Sequence, residues 1–327
     1  MQVTIKNGSL RGEIIEGTFE LAERWTKHYG SQSYHVRDGK IKLMVDGKST
    51  GVQVNREDVT YDSEPAVVLA PAETEEQIAQ RISEAFEAMD IFSVGAIAGH
   101  VRSLIISGAA GVGKTFTLER DLKAAEERGD INFAKVAGTC SAIGLYCKLY
   151  EMRDEESVTL LDDVDVFGDE DSMNILKAAL DTGEERHVSY NKASKWLEEQ
   201  DIPRNFEFKG TVIFISNKDF DRELQSGSKL APHYNALISR SVYLDLGVHT
   251  IDEIMVRVKQ VVESTDMLTS LGLTDANINE LMDWLEDNLD QLRSLSLRTC
   301  LHIADMIKTS PSQWKMLAKM TMLRKGR

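Results

Sequence analysis

Apolar and polar residues alternate over short distances in roughly the first 70 residues, and the runs are broken by turn dipeptides. Residues 41–45 lie between Asp38-Gly39 and Asp46-Gly47, and 52–54 follow Gly51, which predicts a small β-rich domain over 1–70. A helix is expected there over 19–29. Between 74 and 89 the period changes: Ile78, Ile82, Ala85, Phe86 and Met89 share one helical face. Pro65 and Pro71 precede this helix, so the domain boundary is placed near Pro71. From Val101 onward, short β-branched runs at 103–107, 133–136, 157–161, 211–216 and 242–246 alternate with helical stretches. Strands that are apolar on both faces predict a parallel sheet covered on both sides, occupying 71–246 together with the leading helix. Beyond Gly247 only amphipathic helices are expected, over 251–264, 276–289, 295–308 and 311–323, forming an all-helical domain over 247–327.

Composition narrows the function classes. The 327 residues are 42% hydrophobic and 28% charged with 5 prolines, as in an ordinary globular chain. Lys and Arg total 38 against 53 Asp and Glu, a net charge of −15, which opposes a simple basic nucleic-acid coat. The charge is −6 over 1–99, −8 over 100–246 and −1 over 247–327, so a polyanion would meet the C-terminal third or a pore. Three cysteines, Cys140, Cys147 and Cys300, lack metal-ligand spacing and read as reduced core thiols. With no apolar leader and no run of about 20 apolar residues, the expected location is the cytoplasm, the host's if the protein is viral, without membrane contact.

The strongest chemical signal is Gly108-Ala109-Ala110-Gly111-Val112-Gly113-Lys114-Thr115, which satisfies G-x-x-x-x-G-K-[ST] between a strand and a helix. Glycines at these positions let main-chain N–H groups turn toward phosphate oxygens. Lys114 can then reach the outer phosphates, and the Thr115 hydroxyl can hold Mg2+. Downstream, the apolar run 158–161 enters Asp162-Asp163, with Asp165 close behind. Asp162 is assigned to the metal and Asp163 to the attacking water; by itself the pair would read as a solvated acidic loop. The strand 211–216 ends at Asn217, an amide suited to the γ-phosphate and the water, or to a turn.

Together, the phosphate loop, the Asp-Asp strand, the strand ending in Asn217, the segment 236–246 and the helical C-terminal region resemble the AAA+ ATPases over roughly 74–327. The segments 144–167, 174–190 and 206–217 look like AAA-type ATPases of tailed bacteriophages. The resemblance implies a P-loop three-layer parallel sheet of AAA+ type followed by a helical lid. It implies ATP and Mg2+ as cofactors, and a homo-oligomeric ring or spiral of six subunits acting on nucleic acid or protein. It places Walker A at 108–115, Walker B at 160–163 and sensor 1 at Asn217. Arg240 takes the place of the arginine finger, which reaches a neighbour's γ-phosphate, and Arg298 that of sensor 2. The competing reading of Arg240 is a surface arginine or a partner of Asp245, and that of Arg298 a helix-face ion pair, both weighed below the functional roles. Asp163 departs from the family's usual Glu, shortening the reach to water by one methylene.

Three further features have open readings. Ile143, Tyr146, Leu149 and Tyr150 share a helical face, which favours core packing over a pore-lining role for Tyr146. Residues 184–210 read as a hairpin-like excursion or a long loop, with Arg186 and Arg204 as alternative inter-subunit phosphate ligands. The tail from Trp314 to Arg327 is basic and Met-rich, fitting either a helix C-terminus with a core stripe or a DNA contact.

Overall fold

The computed structural model describes residues 2–10, 13–27, 39–45, 48–61, 73–164, 169–225 and 230–324. The Asp38-Gly39 and Asp46-Gly47 turns, the boundary at Pro71, Asp165 and the last three tail residues fall wholly or partly outside that set. Chain contacts separate two compact units, Met1–Ala72 and Glu73–Arg327.

The first unit is a small antiparallel barrel. Strand β1 (Gln2–Leu10) pairs with β2 (Glu13–Lys27), β2 with β3 (Gly39–Val45), and β3 with β4 (Lys48–Val54). β4 returns to β1, and a 3-10 turn at Arg56–Asp58 leads into β5 (Val59–Tyr61), which also pairs with β1. Alternate residues Val3, Ile5, Ile41, Leu43, Val52 and Val54 fill its core. The helix expected over 19–29 is instead, as far as Lys27, the second half of β2, and its last two residues lie outside the described set. Phe19, Leu21 and Trp25 pack on the barrel core while Glu20, Ala22 and Arg24 are exposed, a period of two that the helical reading overlooked.

The second unit opens with α1 (Glu75–Ile97), where Thr74 and Gln77 form a reciprocal capping box. A five-stranded sheet follows, made of β6 (Ser103–Ser107), β7 (Asn132–Ala137), β8 (Ser157–Asp162), β11 (Thr211–Ser216) and β12 (Val242–Asp245). All of its pairings are parallel, in the order β12-β6-β11-β8-β7. Helix α2 (Lys114–Glu127) joins β6 to β7, and α3 (Ala142–Glu151) joins β7 to β8. After β8 come α4 (Glu170–Ala179), β9 (His187–Ser189), α5 (Lys195–Glu199) and β10 (Asn205–Glu207). Helices α6 (Phe220–Gln225) and α7 (Ala231–Ile238) lead to β12. One sheet face packs on α1 and α2 through Ile82, Phe86, Leu118 and Leu122, the other on α3 and α4 through Leu145, Leu149, Met173 and Leu176. This is the three-layer arrangement.

The C-terminal helices α8 (Ile251–Ser264), α9 (Asp275–Asp287), α10 (Leu297–Thr309) and α11 (Trp314–Met322) enclose their own core around Leu281, Leu285, Ile303 and Trp314. Among the described residues no helix is long and apolar enough to cross a membrane.

Tyr146 lies on α3 with no exposed surface. Its hydroxyl donates to the Pro203 carbonyl at 2.7 Å and its ring meets Phe206 edge-on. The excursion 184–210 is a two-stranded antiparallel ribbon, β9 with β10, around α5, and Tyr146 fastens it to the body. Arg186 is 3% exposed and donates to the Ala179 and Gly210 carbonyls at 2.9 and 2.8 Å. The guanidinium closes the end of α4 internally, so Arg186 is unavailable to a neighbour's phosphate. Arg204 remains exposed and pairs with Glu198 at 2.7 Å.

Candidate nucleotide site

The phosphate loop emerges from the C-terminal end of β6, and β11 lies between β6 and the acidic strand β8, with Ser216 beside Ser107 and Ile215 beside Asp162. Strand order alone therefore sets Asn217 between the loop and the carboxylates. The loop backbone requires its glycines: Gly111 has φ +71° and Gly113 φ +104°. No side chain caps α2 and no acid stands in its first turn, so the opening N–H groups and the positive end of the helix dipole are left for an anion.

Lys114 is 4% exposed. Its Nζ donates to the Gly108 carbonyl, to the Ala109 carbonyl at 2.7 Å and to Asn217 Oδ1 at 2.9 Å. Burial pushes its pKa down to about 8, against the pull of Asp163 and Asp162, while the nearby Arg298 lowers it further. A buried ammonium held by neutral acceptors gains from an arriving phosphate, so the cradle fits a nucleotide's phosphate tail.

Asn217 is oriented from both ends. Its oxygen accepts from Lys114 and its Nδ2 donates to Asp163 Oδ2, which fixes which end of the amide faces which charge. Asp163 itself holds a left-handed backbone, φ +51°. The Thr115 hydroxyl donates to Asp162 Oδ1 at 2.8 Å, which brings together the hydroxyl and carboxylate that suit Mg2+.

The helical region meets the same loop. Leu297 N donates to the Gly111 carbonyl at 2.9 Å, and a Cβ built on Gly111 would stand 2.8 Å from Ser296 Cβ and 3.9 Å from Arg298 Cγ. Arg298, in the first turn of α10, thus stands over the phosphate loop. Gly111→Ala should cost about 1 to 2 kcal/mol from backbone handedness alone and push Ser296 away. The expected result is a lower melting temperature and at least tenfold weaker nucleotide binding, read by thermal denaturation and fluorescent-nucleotide titration. Unchanged affinity would detach this contact from ligand binding.

Arg240 is not brought to this cluster. It donates to the Ala236 carbonyl at 2.8 Å and faces Asp181 at 3.4 Å, partly exposed. Asp245 is paired with His249 instead, at 2.7 Å. Three other basic residues have no counterpart in the sequence reading. Lys135 on β7 reaches Asp162 Oδ2 at 3.0 Å. Arg257 on α8 lies over the Phe86 ring at 3.4 Å and beside the Val112 carbonyl, its pKa lowered to about 10 by burial. Arg81 on α1 ties Gly247 O to Glu253 where β12 leads into α8. For Lys135 a signal existed: a lone lysine inside an apolar strand preceding the acidic one. Nothing local marked the other two.

Phosphate loop, interposed amide strand and paired acids on one parallel sheet, followed by a helical domain, make up the P-loop arrangement that the sequence resemblance implies. The chain is 48% identical over 316 residues to an uncharacterized 36.7 kDa protein from the nrdC-mobD intergenic region of Enterobacteria phage T4, covering 97% of this chain and 96% of that one. It belongs to the family of that phage protein, in keeping with the phage-type resemblance. No family model matches it. Solved structures that resemble it include the RuvB Holliday junction branch migration motor of Thermotoga maritima, 14% identical with a TM-score of 0.40 over 76% of this chain and 69% of that one. AMPPCP-bound DnaA from Aquifex aeolicus is 15% identical with a TM-score of 0.43, over 77% and 72%.

Proposed function

We propose that the chain is a Mg-ATP-binding AAA+ ATPase whose subunits form a ring or spiral and couple ATP turnover at their interfaces to remodelling or movement of a macromolecule. The observation that carries this reading is the linked set Lys114–Asn217–Asp163 and Thr115–Asp162 at the mouth of one glycine loop. In it, the main-chain N–H groups of 108–115 and Lys114 hold the phosphates. Thr115 and Asp162 would hold Mg2+, which would supply charge neutralisation of the phosphates. Asp163 accepts a proton from water that Asn217 helps to orient, and Arg298 senses the γ-phosphate from the lid. Arg240 lies away from its own chain's phosphate loop, in keeping with a role at the neighbour's.

A second reading, a nucleotide-gated loader with slow turnover, is favoured by Asp163. Its side chain is one methylene shorter than Glu, and one of its oxygens is already engaged by Asn217. Sizing the chain with and without a non-hydrolysable ATP analogue, then measuring turnover with DNA, RNA and unfolded protein, separates the two. Polymer-stimulated hydrolysis supports the first reading, and assembly with negligible turnover the second. A monomer that neither assembles nor hydrolyses contradicts both.

The Lys114 pKa sets a pH dependence. Below about 8 the free protein already carries the charge and affinity should be flat. Above it, binding must take up a proton, so affinity should fall by up to about tenfold per pH unit. Nucleotide titrations between pH 7 and pH 9.5 (roughly the span either side of that value) check this, and a flat profile would mean that Lys114 does not meet the phosphates.

A further inference from the structure

The carboxylate assigned to Mg2+ already carries an internal cation. Lys135 extends from β7, where it lies opposite Leu160 while Ala137 lies opposite Asp162. Its Nζ stands 3.0 Å from Asp162 Oδ2 and 2.9 Å from Glu119 Oε2, and Glu119 lies one helical turn beyond Thr115 on α2. Thr115 holds the other oxygen, Asp162 Oδ1, so both oxygens of the carboxylate are engaged, one by a hydroxyl and one by an ammonium. Glu119 also accepts from Lys123 at 2.7 Å.

We propose that Lys135 regulates metal loading at the nucleotide site, competing with Mg2+ for Asp162, with Glu119 setting how much of the lysine's charge is available for that competition. This rests on the Mg-nucleotide reading above. Two effects of the lysine oppose each other. Holding the carboxylate in place favours the metal slightly, by sparing the entropy of one rotor. Repulsion between an ammonium and a divalent ion a few ångströms away acts against it, scales with the doubled charge and falls only as the inverse of distance. Repulsion is the larger effect, although solvent at the 29%-exposed Lys135 side chain weakens it.

The two neighbours therefore predict shifts of opposite sign, which loss of structure alone would not produce. The readout is the Mg2+ concentration that half-saturates the gain in affinity of the full chain for a fluorescent, non-hydrolysable ATP analogue. Lys135→Met should lower that concentration about tenfold, Glu119→Gln should raise it severalfold, and Lys135→Arg should stay near the wild-type value. Binding in excess EDTA should differ little among the variants. An unchanged Mg2+ requirement in Lys135→Met, or shifts of the same sign in Lys135→Met and Glu119→Gln, overturns the proposal. If Lys135→Met does not fold by thermal denaturation, Lys135→Gln carries the same expectation. Wild-type protein that binds no nucleotide in either buffer would instead defeat the functional reading, and this inference with it.

Discussion

Lys114→Ala is expected to abolish nucleotide binding at working concentrations while leaving the fold intact. The ammonium is buried, bonded to two carbonyls and the Asn217 amide, and set among main-chain donors that no side chain caps. Removing one partner from a buried, hydrogen-bonded charge pair costs about 2 to 5 kcal/mol, a loss of roughly thirtyfold to several thousandfold in affinity. The same variant should lose the thermal stabilisation that nucleotide gives the wild type, about 2.7 kcal/mol at a hundredfold excess over Kd. Titration with a fluorescent analogue and paired melting curves check both. Wild-type affinity in Lys114→Ala would remove the loop from the mechanism.

The second large effect concerns the neighbour rather than the chain's own site. Arg240→Ala should leave nucleotide affinity near wild type, because Arg240 touches Ala236 and Asp181 and not its own phosphate loop. Turnover should fall by about 10³ or more, as when an arginine is withdrawn from developing phosphoryl charge in other P-loop enzymes. Asp163→Ala should also fail to hydrolyse. Mixing the two inactive proteins should recover part of the activity, since some interfaces would join an intact Asp163 to an intact Arg240. Co-assembled mixtures that stay inactive would place Arg240 outside the reaction.

How far these sites were legible in the sequence depended on whether their determinants are local. The loop 108–115, the strand ending at Asp162 and the strand 211–216 were readable because each couples a short apolar run to an abrupt change of residue type. The extent of α8 was readable from its helical period, expected over 251–264 and found at Ile251–Ser264. The sequence period was misread at 19–29, where a helix was expected although Phe19, Leu21 and Trp25 alternate along β2. The helix period was also followed only to Met89, whereas α1 continues to Ile97 and buries Ser93 and Ala96 against the sheet.

What stayed hidden depends on strands and helices that meet only in space. Asn217 was placed at its strand end by the sequence, but its bonds to Lys114 and Asp163 come from the pairing of β11 between β6 and β8. The Lys135 contact needs β7 beside β8 and Glu119 of α2 within reach of the same ammonium. Arg257 becomes notable only when α8 packs on Phe86. Arg186 illustrates the converse: its sequence setting suggested an exposed phosphate ligand, but the α4 end and the Gly210 carbonyl enclose it.

Calorimetric titration of the full chain with a non-hydrolysable ATP analogue, in the presence and absence of Mg2+, tests the central claim most directly. The account predicts saturable binding of one nucleotide per chain, tightened by Mg2+. A titration that shows no saturation at roughly millimolar nucleotide, where the free energy of binding would be weaker than about 4 kcal/mol, would contradict it.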